Sequence, residues 1–119
     1  MKTYAELVSE AKRMIREIVP EELVARQKAG GAFVLLDVRE ADEFAAGRIP
    51  GAVNLPRGLL ELDISKVVRA PETMIICNCG GGGRSALAAR TLGAMGYENV
   101  ASLAGGFKAW VGKDLPVQR

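Results

Sequence analysis

The residues with the most chemical potential in this chain lie in one short stretch, "IICNCGGGGRS", residues 75 to 85. It holds both cysteines, Cys77 and Cys79, followed by four consecutive glycines, Arg84 and Ser85. A cysteine can serve as a nucleophile, yet histidine is absent from all 119 residues. Cys–His and Ser–His catalysis are thereby excluded, and two cysteines alone cannot complete a tetrahedral zinc set. Neither a metal nor a cofactor is expected. Any nucleophile here must be activated without an imidazole base.

Backbone amides are the alternative source of stabilisation. Each glycine costs roughly 0.5–1 kcal/mol against alanine in an ordered segment, so four in a row are a costly way to join two elements. What they allow is a tight turn that brings N–H groups close to a ligand. The run follows the apolar "TMIICN" and precedes "RSALAARTLGAMG", which reads as a strand-to-helix junction. A helix N-terminus offers free N–H groups and a partial positive charge, so it attracts anions. Cys79 stands at the mouth of this loop, with Gly80, Gly81, Gly82 and Gly83 turning around it and Arg84 at its end. Those surroundings favour a thiolate. Ser85 is placed to cap the helix or donate to the sulfur. Cys77, inside the apolar run, reads as a buried core thiol rather than a resolving one.

Two other anion-loop patterns compete for the same residues. A nucleotide P-loop would align on Asn78, Gly83, Arg84 and Ser85 and fails at its first glycine and its lysine. A dinucleotide fingerprint can be forced onto Gly81, Gly83 and Ala86, but too little chain follows to complete the fold it needs.

Positioning these groups requires a scaffold, and the hydrophobic pattern supplies one. Leu7, Ala11, Met14, Ile15 and Ile18 form a helical stripe over residues 3 to 18. Pro20 suits the first turn of a second helix that stops at Gly30 and Gly31. "AFVLLDV" reads as a buried parallel strand, "EADEFAAG" as a short helix closed by Gly47, "GAVNLP" as a brief extended piece and "RGLLEL" as a helical turn. After "TMIICN" comes the clearest helix, with Leu87, Leu92 and Met95 expected inward and Gly96 as its C-cap. "NVASLAG" is a third strand and "GFKAWVG" a last helical turn or two, with Phe107 and Trp110 as core anchors. Alternating strands and helices predict an α/β fold: a mainly parallel β-sheet flanked by helices on both faces. A helical extension over residues 1–19 is expected to precede a single domain over 20–119.

Bulk composition narrows the function. At 49% hydrophobic and 25% charged, the chain can bury one core without staples. Sixteen basic against fourteen acidic residues give a net charge of +2, too near balance for an electrostatic nucleic-acid binder. No stretch reads as a signal peptide or membrane span, so a reducing, cytoplasmic setting is the default expectation. The N-terminal stripe leaves a monomer or a weak homodimer as the expected state.

The segments "LLDVREADEFAAGRIPGAVNLP", "CGGGGRSALAARTLGAMGYENVASLAGGFKAW" and "DLP" together resemble the rhodanese family of sulfurtransferases. The similarity spans residues 20 to 117. The resemblance implies a rhodanese-like fold and a persulfide-forming cysteine at Cys79. It implies an active-site loop over Gly80 to Arg84, with four residues between cysteine and arginine. Related phosphatases and arsenate reductases have five, a spacing that neither cysteine gives here. Asp37 and Arg39 match an Asp-x-Arg segment taken as mainly structural, and Gly105, Gly106 and Trp110 match a Gly-Gly-x-x-x-Trp segment. The chain departs from many family members in having Gly80 and Gly81 after the cysteine, so Arg84 is the loop's only cation; Arg57 is a candidate second charge near the mouth. The implied reaction takes sulfane sulfur from thiosulfate or a similar small anion and passes it to cyanide, a thiol or a sulfur-relay protein. A persulfide carrier loaded by a partner, and a phosphatase or arsenate reductase, are the rival readings.

Overall fold

The computed structural model describes residues 1–119. Five short strands form one parallel sheet: β1 (Arg16–Ile18), β2 (Val34–Asp37), β3 (Val53–Asn54), β4 (Ile75–Asn78) and β5 (Val100–Leu103), in the order β1-β5-β4-β2-β3. Six α-helices connect or flank them: α1 (Tyr4–Met14), α2 (Pro20–Ala29), α3 (Ala41–Ala46), α4 (Leu60–Val67, after a 3₁₀ turn at Arg57–Leu59), α5 (Gly83–Ala94) and α6 (Gly106–Gly112). The connections diverge from the sheet centre, β2 leading to one edge and β4 to the other. Ligands of open α/β sheets lie at the carboxyl ends of strands beside such a divergence. β4 therefore delivers Cys79 to that place.

Two apolar layers sandwich the sheet, as the alternation of strand side chains requires. On one face Leu36, Ile75 and Cys77 pack against Leu60 and Ile64 of α4 and Ala88, Ala89 and Leu92 of α5. On the other, Leu35, Ile76, Ala101 and Leu103 pack against Leu23 of α2 and Trp110 of α6. Trp110 is 1% exposed and donates its indole N–H to the Pro116 carbonyl at 2.7 Å, the core anchor its position suggested.

Two local expectations fail, each for a tertiary reason. The first helix ends at Met14 instead of running to Ile18, because Arg16–Ile18 pair with Ala101–Leu103 as the edge strand β1. Ile15, Ile18 and Val19 are β-branched, so strand pairing overrides a helical spacing that is itself only a weak preference. The segment 1–19 is thus part helix and part sheet. In α5, Leu92 is buried as expected, but Leu87 is half-buried and Met95 is 46% exposed. The buried face is instead Ser85, Ala86, Ala88 and Ala89. Packed on the sheet with α1 and α4 against it, α5 approaches its neighbours closely, and small side chains permit that approach.

Beneath the site lies a buried ion pair. Asp37 is fully enclosed and its carboxylate accepts from Arg39 Nε at 3.0 Å and Nη2 at 2.8 Å. Arg39 also donates to the Gly47 carbonyl at 2.8 Å and lies over the Phe107 ring, 4.5 Å from its centre. The Asn54 amide ties the Asp37 and Arg39 carbonyls together, both at 3.0 Å. Removing one partner of such a pair typically costs about 3–5 kcal/mol. Asp37 and Arg39 therefore brace β2 against α6, which in turn backs the loop.

Candidate active site

Cys79 leaves the carboxyl end of β4 and is 1% exposed. Its sulfur accepts the Gly82 N–H at 3.1 Å and the Ser85 N–H at 3.3 Å, and lies 3.4 Å from Ser85 Oγ. The N–H groups of Gly80, Gly81, Gly83 and Arg84 reach no acceptor in the protein. The loop thus directs two N–H groups at the sulfur and leaves four more unpaired, at the N-terminus of a three-turn helix. That arrangement binds and stabilises negative charge.

Different glycines of the run are needed for different reasons. Gly82, the N-cap of α5, has φ +99°, which side-chain-bearing residues rarely adopt. Gly83 lies against the Tyr4 phenol, so any Cβ there would collide with the hydroxyl that α1 brings over the loop. Gly80 and Gly81 carry no such requirement: a Cβ on Gly81 would meet nothing, and one on Gly80 only the flexible end of Arg84.

The loop is held from behind by α6. Phe107 N–H donates to the Cys79 carbonyl at 2.8 Å and Lys108 N–H to the Gly80 carbonyl at 3.0 Å. Gly106, at φ +58°, permits this approach, because a Cβ would run into both of those carbonyl groups. The paired glycines at 105 and 106 are therefore a docking surface for the loop rather than a flexible hinge.

The charges at the mouth are not arranged as the spacing alone suggested. Arg84 does not pair with Cys79; its guanidinium forks onto Glu43 of α3, Nη1 to Oε1 at 2.8 Å and Nη2 to Oε2 at 3.2 Å. This fork holds the Glu43 carboxyl at about 2, and the same contact raises Arg84. Arg57 is engaged by Glu61 at 3.0 Å and by Thr91 at 3.2 Å, two turns along α5 from the loop. It adds no hydrogen bond to the mouth. Burial, with the charge of Cys79 as a smaller cause, pushes the Cys77 thiol up to about 12, so this cysteine stays neutral in the core.

Three further residues complete the site and escaped the sequence reading. Glu43 sits at N3 of α3, where it also accepts the Glu40 N–H at 3.0 Å, but nothing local links it to an arginine 41 residues away. Tyr4 gives no sequence signal at all. Ser102 does give one: a serine inside the apolar strand "VASL" asks for a buried partner. It finds Ser85 Oγ at 2.8 Å. The largest surface hollow, about 610 Å³ and lined by Phe33, Leu35 and Trp110 among others, touches none of these residues.

Comparison with known proteins bears on the family and the fold. The model of the rhodanese-like domain matches residues 19–113. The chain is 35% identical to a sulfurtransferase of Allochromatium vinosum, over 87% of its own length and 95% of that protein. It is 36% identical to the thiosulfate sulfurtransferase GlpE of Pseudomonas putida, with 80% and 84% covered. It is 34% identical to the putative sulfur carrier protein YrkF of Bacillus subtilis, of which it spans only 56%. Among solved structures, a Rhodopseudomonas palustris protein of unknown function, described as a possible tyrosine phosphatase, superposes with a TM-score of 0.92. It is 31% identical, with 99% of this chain and 96% of that one covered. A thiosulfate sulfurtransferase from Pseudomonas aeruginosa gives a TM-score of 0.86 at 30% identity, covering 95% of this chain and 22% of that one. With a sulfur set in a loop of amides on this parallel sheet, and relatives matched along nearly its whole length, the chain belongs to the rhodanese-like domain family.

Proposed function

We propose that this protein transfers sulfane sulfur through a persulfide on Cys79. The observation that carries the reading is the sulfur's position: two N–H groups already point at it, and four more N–H groups of the same loop have no acceptor in the protein. In the first step the Cys79 thiolate attacks the outer sulfur of thiosulfate or a similar donor. The Sγ–S bond forms as the donor S–S bond breaks, and sulfite leaves with that electron pair. In the second step cyanide, a thiol or an acceptor protein attacks the outer sulfur and the Cys79 thiolate is regenerated. The amides of Gly80, Gly81 and Gly83 and the remaining N–H of Arg84 stabilise the donor's anionic oxygens and the persulfide. Glu43 holds Arg84 in place, and its carboxylate offsets part of the field of that cation. No helix is long and apolar enough to cross a membrane. Both cysteines are unpaired, which suits a reducing, cytoplasmic setting.

A persulfide carrier loaded by a partner protein is the second reading. It is favoured by the likeness to YrkF and by the tethering of the loop's only arginine to Glu43. Intact mass after incubation with thiosulfate tests the first reading. We expect one added sulfur atom, removable by cyanide, retained in Cys77→Ser and absent in Cys79→Ser. Loading by a cysteine desulfurase without any loading by thiosulfate would leave the carrier. Hydrolysis of an aryl phosphate without sulfur loading would overturn both.

A further inference from the structure

Ser102 lies on β5 in register with Cys77, so its side chain emerges on the sheet face covered by α5. It is fully buried, as is Ser85, and the two hydroxyl oxygens are 2.8 Å apart. Ser85 Oγ is the only hydrogen-bond partner that Ser102 Oγ has, whereas Ser85 Oγ has two, Ser102 Oγ and the Cys79 sulfur. A neutral Cys79 donates its S–H to Ser85 Oγ; once the sulfur has lost that proton, the asymmetry fixes the direction of the chain. If Ser85 donated to Ser102, the Ser102 proton would be buried with no acceptor. With Cys79 ionised, Ser102 donates to Ser85 and the Ser85 proton goes to the sulfur, which then has no proton of its own to place. When the cysteine is a thiolate or a persulfide anion, every proton in the chain is used.

We propose that Ser102 is a positioning residue of the sulfur site: it donates to Ser85 Oγ and so directs the Ser85 hydroxyl onto the Cys79 sulfur. A serine in the first turn of a helix is otherwise free to rotate toward a preceding backbone carbonyl. Ser102 removes that freedom and polarises the Ser85 O–H bond through a cooperative chain. The sulfur thereby has a third donor beside the Gly82 and Ser85 amides. The titratable and charged groups around Cys79 are Arg84 of α5, held by Glu43 of α3, Tyr4 of α1, and Cys77 of its own strand. None of them hydrogen-bonds to Ser102, so removing the Ser102 hydroxyl leaves that charge set in place.

The inference rests on Cys79 as the nucleophile, and its test does not depend on sulfur transfer. The rate of Cys79 alkylation by iodoacetamide is measured against pH, with the modified residue identified by peptide mass. Ser102→Ala is expected to slow alkylation at neutral pH roughly 2- to 5-fold and to move the midpoint of the profile upward. Ser85→Ala has the larger effect, and the double variant behaves like Ser85→Ala alone, because Ser102 acts only through Ser85. The isosteric pair Ser102→Thr and Ser102→Val separates the hydroxyl from packing. The threonine variant keeps the wild-type profile and the valine variant reproduces that of alanine, which decides the matter even if Ser102→Ala fails to fold. An unchanged profile in Ser102→Val, or an effect of Ser102 substitution that adds in full to that of Ser85→Ala, overturns the proposal. A shifted profile in a protein that never accepts sulfur would leave this inference standing and remove the sulfurtransferase reading.

Discussion

Cys77 and Cys79 are two residues apart, project to the same side of the sheet and are 0% and 1% exposed. By burial alone they are equivalent. Around Cys77 are apolar side chains of β2, α4 and α5, and burial pushes its thiol up to about 12. Around Cys79 are the N–H groups of Gly82 and Ser85 and the Ser85 hydroxyl. The strand has ended by then, so the backbone amides that Cys77 spends on sheet pairing are at Cys79 turned onto the sulfur. Equal burial leaves one thiol among apolar side chains and the other among hydrogen-bond donors, and the difference is the supply of donors.

The sharpest way to break this contrast is to disturb the donors without touching the core. Gly106→Ala drives a Cβ into the Cys79 and Gly80 carbonyl groups at a backbone φ that alanine disfavours. The expected cost is about 2–4 kcal/mol of stability, read from the denaturant midpoint. In the fraction that remains folded, Cys79 alkylation falls while Cys77 stays protected. Wild-type alkylation of a folded Gly106→Ala variant would mean that α6 does not set the loop.

A second test works from the Cys77 side. Its thiol is raised in the folded chain from an ordinary 9.0 to about 12, so the folded state holds that proton more tightly than the unfolded state. The stability it contributes is complete below pH 9 and is lost as pH rises from 9 toward 12. Denaturant midpoints of wild type against Cys77→Ala across that interval check the sign, the wild type falling more steeply. Equal slopes would place Cys77 in a wetter environment than the core described here.

The smallest expected effect concerns the one charge that the Cys79 side has and the Cys77 side lacks. Glu43→Gln releases Arg84 from its fork. Both side chains are more than a third exposed, so the change in stability is under about 1 kcal/mol. Glu43 sits near 2 instead of 4.5, so its contribution is present above pH 4.5 and disappears as pH falls toward 2. The variant flattens that part of the acid profile. It also raises the rate of Cys79 with anionic iodoacetate relative to neutral iodoacetamide, by about 2- to 5-fold at low salt. No change in that ratio would show that Arg84 does not act on the entering anion.

Much of this was legible in residue order, for identifiable reasons. The helix ends at Gly30 and Gly47 were written in glycine, and the strands β2 and β4 in short apolar runs too brief for helices. The edge strand β1 was not, because three residues gain strand geometry only from β5 beside them. The exposure of Met95 was not, because the residue is the C-cap just past the end of α5, and the spacing that buries Leu92 does not say where the helix stops.

The cysteine, the turn of glycines and the helix that follows were adjacent in the chain, so local geometry alone sufficed to bring amide donors to a sulfur. The sequence by itself therefore determined where the proposed nucleophile stands, which residues turn around it and the absence of an imidazole base. Only the tertiary structure decided the rest: that Arg84 faces Glu43, that Ser102 stands behind Ser85, that Tyr4 covers Gly83, and that Arg57 reaches Thr91. Each of those contacts joins residues at least 17 positions apart in the chain, and hydrogen bonds and packing that reach so far arise only when the sheet sets its strands side by side.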